Sequence, residues 1–139
     1  MSTDSESPTA ASSHATISEL LALTQELLEA IATANWEKYQ ELCDATLTAF
    51  EPESRGQLIE GLDFHQYYFE LGGRRGPHNT TISAPHVRLL GSDVAVVSYT
   101  RLVQHVNSGG QPETSRCEET RVWHRKGDQW RNVHFHRSV

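Results

Sequence analysis

Apolar residues recur at helical spacing in the first half of the chain and alternate in the second. Ile17, Leu20, Leu21, Leu23, Leu27, Leu28 and Ile31 form a broad stripe, and Thr16 and Glu19 stand at capping-box spacing before it, so a helix is predicted over 16–34. Asn35 punctuates it. Trp36, Tyr39, Leu42 and Cys43 then mark a second, shorter helix. Asp44-Ala45-Thr46 reads as a break, and 47–50 as a strand that Pro52 ends. Leu62, His65, Tyr68, Phe69 and Leu71 mark one face of a third helix, stopped by Gly72-Gly73. Beyond Asn79 the pattern predicts strands over 80–90, 94–106, 113–125 and 130–137, separated by Gly91-Ser92-Asp93, Asn107-Ser108-Gly109-Gly110 and Gly127-Asp128. Helices followed by an antiparallel sheet make an α+β arrangement.

Period two divides each strand into two faces. Ala95, Val97, Tyr99, Arg101 and Val103 share one side, while Val94, Val96, Ser98, Thr100 and Leu102 share the other. Both sides are substantially apolar, so something besides the chain's own helices is expected to cover the outer one, and another subunit is the economical candidate. Arginines interrupt these strands at Arg101, Arg121 and Arg137. A guanidinium cannot shed its charge, and its burial requires carboxylates, backbone oxygens or a bound anion. Glu119, Arg121, Trp123, Val133, Phe135 and Arg137 have the parity to join Arg101. A two-residue turn at Gly127-Asp128 would pair Arg121 with His134 and separate it from Arg137; convergence requires a three-residue loop or a bulge. Two readings follow. The arginines pair with strand neighbours such as Glu118 or Glu119 at an interface, or they line a pocket for an anion.

Composition narrows the field. With 139 residues the chain is one domain. Residues 1–15 carry too little apolar surface to offset ordering entropy and are expected to form a disordered tail, leaving 16–139 as the folded domain. A net charge of -6, from 18 acidic against 12 basic residues, opposes binding to a phosphate backbone, so no nucleic-acid partner is expected. No apolar run approaches the roughly 20 residues of a membrane-spanning helix, and no secretory signal is present, which points to a soluble, cytoplasmic protein without membrane attachment. Cys43 and Cys117 match neither metal nor disulfide spacing and read as buried free thiols. His124, His134 and His136 could be drawn together as a metal site, but they belong to the set opposite the arginines, and no metal is expected. No cofactor fingerprint is present.

Four blocks carry a family resemblance: Leu47-Thr48-Ala49-Phe50-Glu51-Pro52-Glu53; Glu60-Gly61-Leu62-Asp63-Phe64-His65 with Tyr68-Phe69-Glu70; Glu118-Glu119-Thr120-Arg121-Val122-Trp123-His124; and His134-Phe135-His136-Arg137-Ser138. In this order the chain resembles, over 17–138, the association (hub) domain of calcium/calmodulin-dependent protein kinase II. The resemblance implies a cone-shaped fold of the nuclear-transport-factor-2-like (SnoaL-like) type, with N-terminal helices packed on a strongly curved antiparallel sheet. It also implies assembly into large rings. The kinase and regulatory segments of that family have no counterpart here, so the chain reads as a stand-alone hub.

The resemblance further implies a pocket inside the cone that accepts small carboxylates, and by motif it places His65, Tyr99, Arg101, Arg121 and Arg137 there. One departure stands out: the loop after the third helix, longer and tryptophan-bearing in the kinase hub, reads Leu71-Gly72-Gly73-Arg74-Arg75-Gly76. The expectation is thus a homo-oligomerisation module with an arginine-lined anion pocket and no cofactor. The alternative is a small-molecule isomerase or cyclase of the ketosteroid-isomerase type, for which Asp63, His65 and Glu119 are the candidate proton-transfer groups. Ion pairing of Glu119 with an arginine would make it a poor base.

Overall fold

The computed structural model describes residues 10–139. Its elements are α1 (Ala10–Thr33), α2 (Trp36–Leu42), β1 (Cys43–Phe50), a 3-10 turn (Pro52–Ser54), β2 (Ile59–Glu60), α3 (Asp63–Glu70), β3 (His78–Leu90), β4 (Val94–Val106), β5 (Pro112–Lys126) and β6 (Gln129–Arg137). The sheet order is β2-β1-β6-β5-β4-β3. Every pair is antiparallel except β1 with β6, which is parallel. The sheet is antiparallel as expected apart from this one pair, which can be parallel because the chain leaves β1 and returns beside it only after β2, α3, β3, β4 and β5.

The first helix starts upstream of its predicted N-terminus. Thr16 does not cap it but lies within it, its hydroxyl donating to the Ser12 carbonyl at 2.9 Å. Alanines favour helix strongly, and a threonine can satisfy its hydroxyl one turn back, so residues 10–15 are helical where a tail was expected. The rest of that expected tail, residues 1–9, lies outside the described residues. Asn35 separates α1 from α2 as its side chain accepts from the Lys38 N–H at 3.1 Å. The expected break at 44–46 is an irregularity inside β1: the Asp44 carboxylate turns back onto the Thr46 N–H, and the pairing with β6 shifts between Cys43 and Thr48.

Leu20, Leu27 and Leu28 of α1, almost fully buried, join Tyr39, Leu47, Val97 and Trp123 in one core. Each leucine so buried contributes about 1.5–3 kcal/mol relative to exposure. On β4, Ala95, Val97 and Tyr99 are buried, while Val94, Val96, Ser98 and Leu102 remain half-exposed, as the period-two pattern predicts. Leu90, Val106 and Phe50 are exposed apolar residues.

Bulges bend the sheet. In β3 the register shifts between Ser83 and His86, where Ala84 is left-handed (φ 49°) and Pro85 follows. In β6 the pairs run Lys126↔Gln129 to Trp123↔Asn132 and then jump to Val122↔His134, leaving Val133 unpaired. The β5–β6 hairpin therefore has the two-residue loop, and a bulge brings Phe135 opposite Arg121 and Arg137 opposite Glu119. Trp130 and Asn132 are buried as a result. Val133, which odd parity had placed inside, is the bulged residue.

Candidate functional site

Adjacent strands set out the interior as cross-strand rows. Tyr99, Glu119 and Arg137 form one row, Val97, Arg121 and Phe135 the next, and Arg101 stands opposite Cys117 beside them. Glu119, 2% exposed, is the hub of this cluster. Its Oε1 accepts from the Tyr99 hydroxyl and faces Arg121 Nη2 at 3.4 Å; its Oε2 faces Arg101 Nη1 at 3.1 Å and Arg137 Nε at 4.0 Å. Burial alone would raise the Glu119 carboxyl, but Arg121, Arg101, Tyr99 and Arg137 outweigh it and hold it below the usual carboxylate range. Burial likewise opposes the Arg121 charge, yet Tyr99, Glu119 and Tyr39 raise that group above its ordinary value.

Arg121 is enclosed on every side. Its Nη1 donates to Asn132 Oδ1 at 2.8 Å, its Nε to the Tyr99 hydroxyl at 3.0 Å, and its guanidinium lies 4.4 Å over the Phe135 ring. Asn132 is in turn fixed by donating to the Val122 and His134 carbonyls, each at 2.9 Å. A satisfied network of this kind specifies one arrangement of the core.

The segment that follows β1 supplies the remaining acids. Glu51 forms a hydrogen-bonded pair with His65 Nε2 and lies 3.5 Å from Arg137, and Glu53 pairs with Arg137 directly. Partial burial opposes ionisation of Glu53, but Arg137 holds its carboxyl below the ordinary range. His65 comes from α3, buried against Phe135 and Tyr39 with ring centroids at 5.5 and 5.9 Å, and its Nδ1 has no hydrogen-bond partner among the described residues.

These groups surround a cavity of about 310 Å³ lined by Ile31, Tyr39, Glu51, Glu53, His65, Tyr68, Phe69, Arg74, Arg101, Glu119, Arg121, Phe135 and Arg137. A second hollow of about 340 Å³ lies beside it, lined by Leu28, Ile31, Ala32, Gly72, Gly73, Arg74, Thr80, Arg101 and Val103. The two share Ile31, Arg74 and Arg101. The loop that carries Arg74 is seated on the end of α1: the Arg74 N–H donates to the Ala32 carbonyl at 2.9 Å, and a Cβ on Gly73 would stand 2.7 Å from that same oxygen.

The structure thus gathers His65, Arg101, Glu119, Arg121 and Arg137 around one cavity. Two expected members fall elsewhere. Tyr99 is absent from the lining because it sits behind Glu119 and Arg121 as their hydrogen-bond partner. Asp63 is exposed in the first turn of α3, a position where a carboxylate favours the helix dipole, and it does not reach the cavity. Sequence reasoning missed Glu51, Glu53, Asn132 and Arg74. The glutamates lie in the first of the four family-like blocks but beyond any strand period; Asn132 faces inward because the two-residue loop pairs it with Trp123, on the parity opposite to Phe135 and Arg137. Among the histidines of the outer set, His134 Nδ1 bonds the Thr48 hydroxyl at 2.7 Å. No group of three His, Cys, Asp or Glu side chains placed to hold a metal ion occurs among the described residues.

The calcium/calmodulin dependent protein kinase II association-domain model matches residues 16–139. The calcium/calmodulin-dependent protein kinase type II subunit delta of Oryctolagus cuniculus is 50% identical over 122 residues, a stretch that covers 86% of this chain and 23% of that protein. The solved association domain of C. elegans CaMKII superposes with a TM-score of 0.87 at 41% identity, covering 92% of this chain and 98% of that one. An NTF2-like superfamily protein of Salmonella enterica (TM-score 0.69, 22% identity, 87% of this chain and 88% of that one) shares the fold alone. So does a putative ketosteroid isomerase of Shewanella frigidimarina (TM-score 0.65, 19% identity, 84% and 92%).

Proposed function

The chain belongs to the calcium/calmodulin-dependent protein kinase II association-domain family, and from that premise we propose that it is a hub-like module that assembles with copies of itself and holds a small carboxylate in its cavity. The outer sheet face carries the assembly reading. Val94, Val96, Leu102 and Val122 lie half-exposed on that face, Leu90 and Phe50 are exposed at its margins, and none of them is buried by a helix among the described residues. Apolar area of this kind is buried by self-association, and a closed ring does so without leaving an end. Light scattering at micromolar concentration tests it: the expected particle holds many copies of the 15.6 kDa chain, and one no larger than a dimer overturns the proposal.

The carboxylate reading is supported by the cavity wall, which sets four guanidiniums against three carboxylates and so leaves one forked donor over for an entering carboxylate. A calorimetric titration with small carboxylates tests it, and no heat of binding from any of them ends it. We also place the protein in the cytoplasm, a reading supported by Cys43 and Cys117, which are buried and unpaired. No described helix is long and apolar enough to cross a membrane. The isomerase reading has less support, because Asp63 is outside the cavity and Glu119 is held ionised by cations that weaken it as a base.

A further inference from the structure

We propose that the anion held by this chain is bound by Arg74 together with the free Nε of Arg101, and that the ligand is a carboxylate with an apolar tail lying in the hollow beside Leu28, Ile31 and Val103. This deepens the carboxylate reading above and rests on it. The argument begins with charge. Arg101, Arg121 and Arg137 are each within ion-pair distance of Glu119, and Arg137 is also paired with Glu51 and Glu53. Three interior guanidiniums are therefore set against three carboxylates, and an entering anion finds no surplus charge there.

Arg74 is different. It lines both hollows, yet its guanidinium has no hydrogen bond or ion pair among the described residues. Arg101 lines both as well, and its Nε is buried without an acceptor among the described residues while Nη1 is committed to Glu119. A buried unpartnered donor is costly, and a ligand oxygen would satisfy it. The head of the ligand thus belongs at the junction of the two hollows. From that junction the wall on the α1 side is largely apolar, and Gly72 and Gly73 contribute no side chain to fill it. A hydrocarbon tail fits this lining; a second charge on the ligand does not.

The test is a calorimetric titration of the assembled chain with acetate, butyrate and hexanoate, and with hexylammonium as the charge-reversed control. Affinity is expected to rise by about fourfold for each methylene buried, to fall with added salt because Arg74 is exposed, and to be absent for hexylammonium. Arg74→Gln, at a guanidinium with no hydrogen bond or ion pair among the described residues to lose, is expected to weaken hexanoate by about tenfold or more with particle size unchanged. Arg74→Lys should recover part of the loss. Carboxylates that bind R74Q as they bind the unaltered chain would overturn the inference and leave the cavity reading standing. Hexanoate no tighter than acetate would overturn the tail, and no carboxylate binding at all would remove both readings together.

Discussion

Replacing Arg121 by methionine isolates what the buried ion cluster contributes. The substitution keeps most of the side chain's length and apolar bulk but removes the charge, so Glu119, 2% exposed, loses one of its close cations. Asn132 Oδ1 and the Tyr99 hydroxyl lose donors at 2.8 and 3.0 Å. Hydrogen bonds from a charged group contribute about 1.5–3 kcal/mol each, and one-sided removal of a buried pair costs about 3–5 kcal/mol. Arg101, 3.1 Å from Glu119, remains and limits the loss. The expected destabilisation is about 4 kcal/mol. Adding Glu119→Gln closes a double-mutant cycle, and because the two groups share one network, E119Q should cost about 2 kcal/mol less in the R121M background than alone. Urea unfolding followed by far-UV circular dichroism measures both terms. It is run at one protein concentration, since assembly makes stability concentration-dependent. A loss under about 1 kcal/mol for R121M, or a coupling under about 0.5 kcal/mol, would refute the view that this cluster organises the interior.

Gly73→Ala should destabilise the chain by about 1–3 kcal/mol, because the new methyl meets backbone of α1 and not a movable side chain; a melting temperature equal to that of the unaltered chain would contradict this. Glu119 and Glu53 have folded pKa values below their unfolded ones, so the stability they contribute is complete above the ordinary carboxylate range of about 4.3 and is lost as pH falls through their folded values. A pH series from 6 to 2 should therefore show a loss beginning near pH 4, and a shallower one in E119Q. Cys43 is pushed up to about 12, chiefly by burial, and Cys117 is raised for the same reason. Neither thiol should react with a disulfide reagent at pH 8 until denaturant is added, and rapid labelling of the folded chain would mean the core opens.

Much of this architecture could be read from residue order because period two is insensitive to detail. The bounds of β4 and the inward set Ala95, Val97, Tyr99 and Arg101 follow from alternation alone, as does the expectation that Glu119 and Arg121 would face them. What alternation cannot express is a residue that belongs to neither face. Val133 is one, and because of it even-numbered Asn132 and odd-numbered Phe135 both face inward. Local hydrogen bonding hid two more features: Thr16 resembled a cap but satisfies itself along the helix, and Asp44 resembled a chain break but kinks a continuing strand. Arg74 and the glutamates after β1 were beyond any periodic argument, since they lie in segments whose paths depend on tertiary contacts.

The unpaired Val133 makes β6 one residue longer than its partner requires, and this spare unit sets what changes in length the C-terminal hairpin can absorb. Losing a residue around position 133 lets the strand straighten while Phe135 and Arg137 keep their neighbours. Gaining one there demands a second kink or sends Arg137 to the solvent side, away from Glu119 and Glu53. Shortening and lengthening this stretch are therefore unequal events: the first relaxes the curvature of the cone, and the second dismantles its wall.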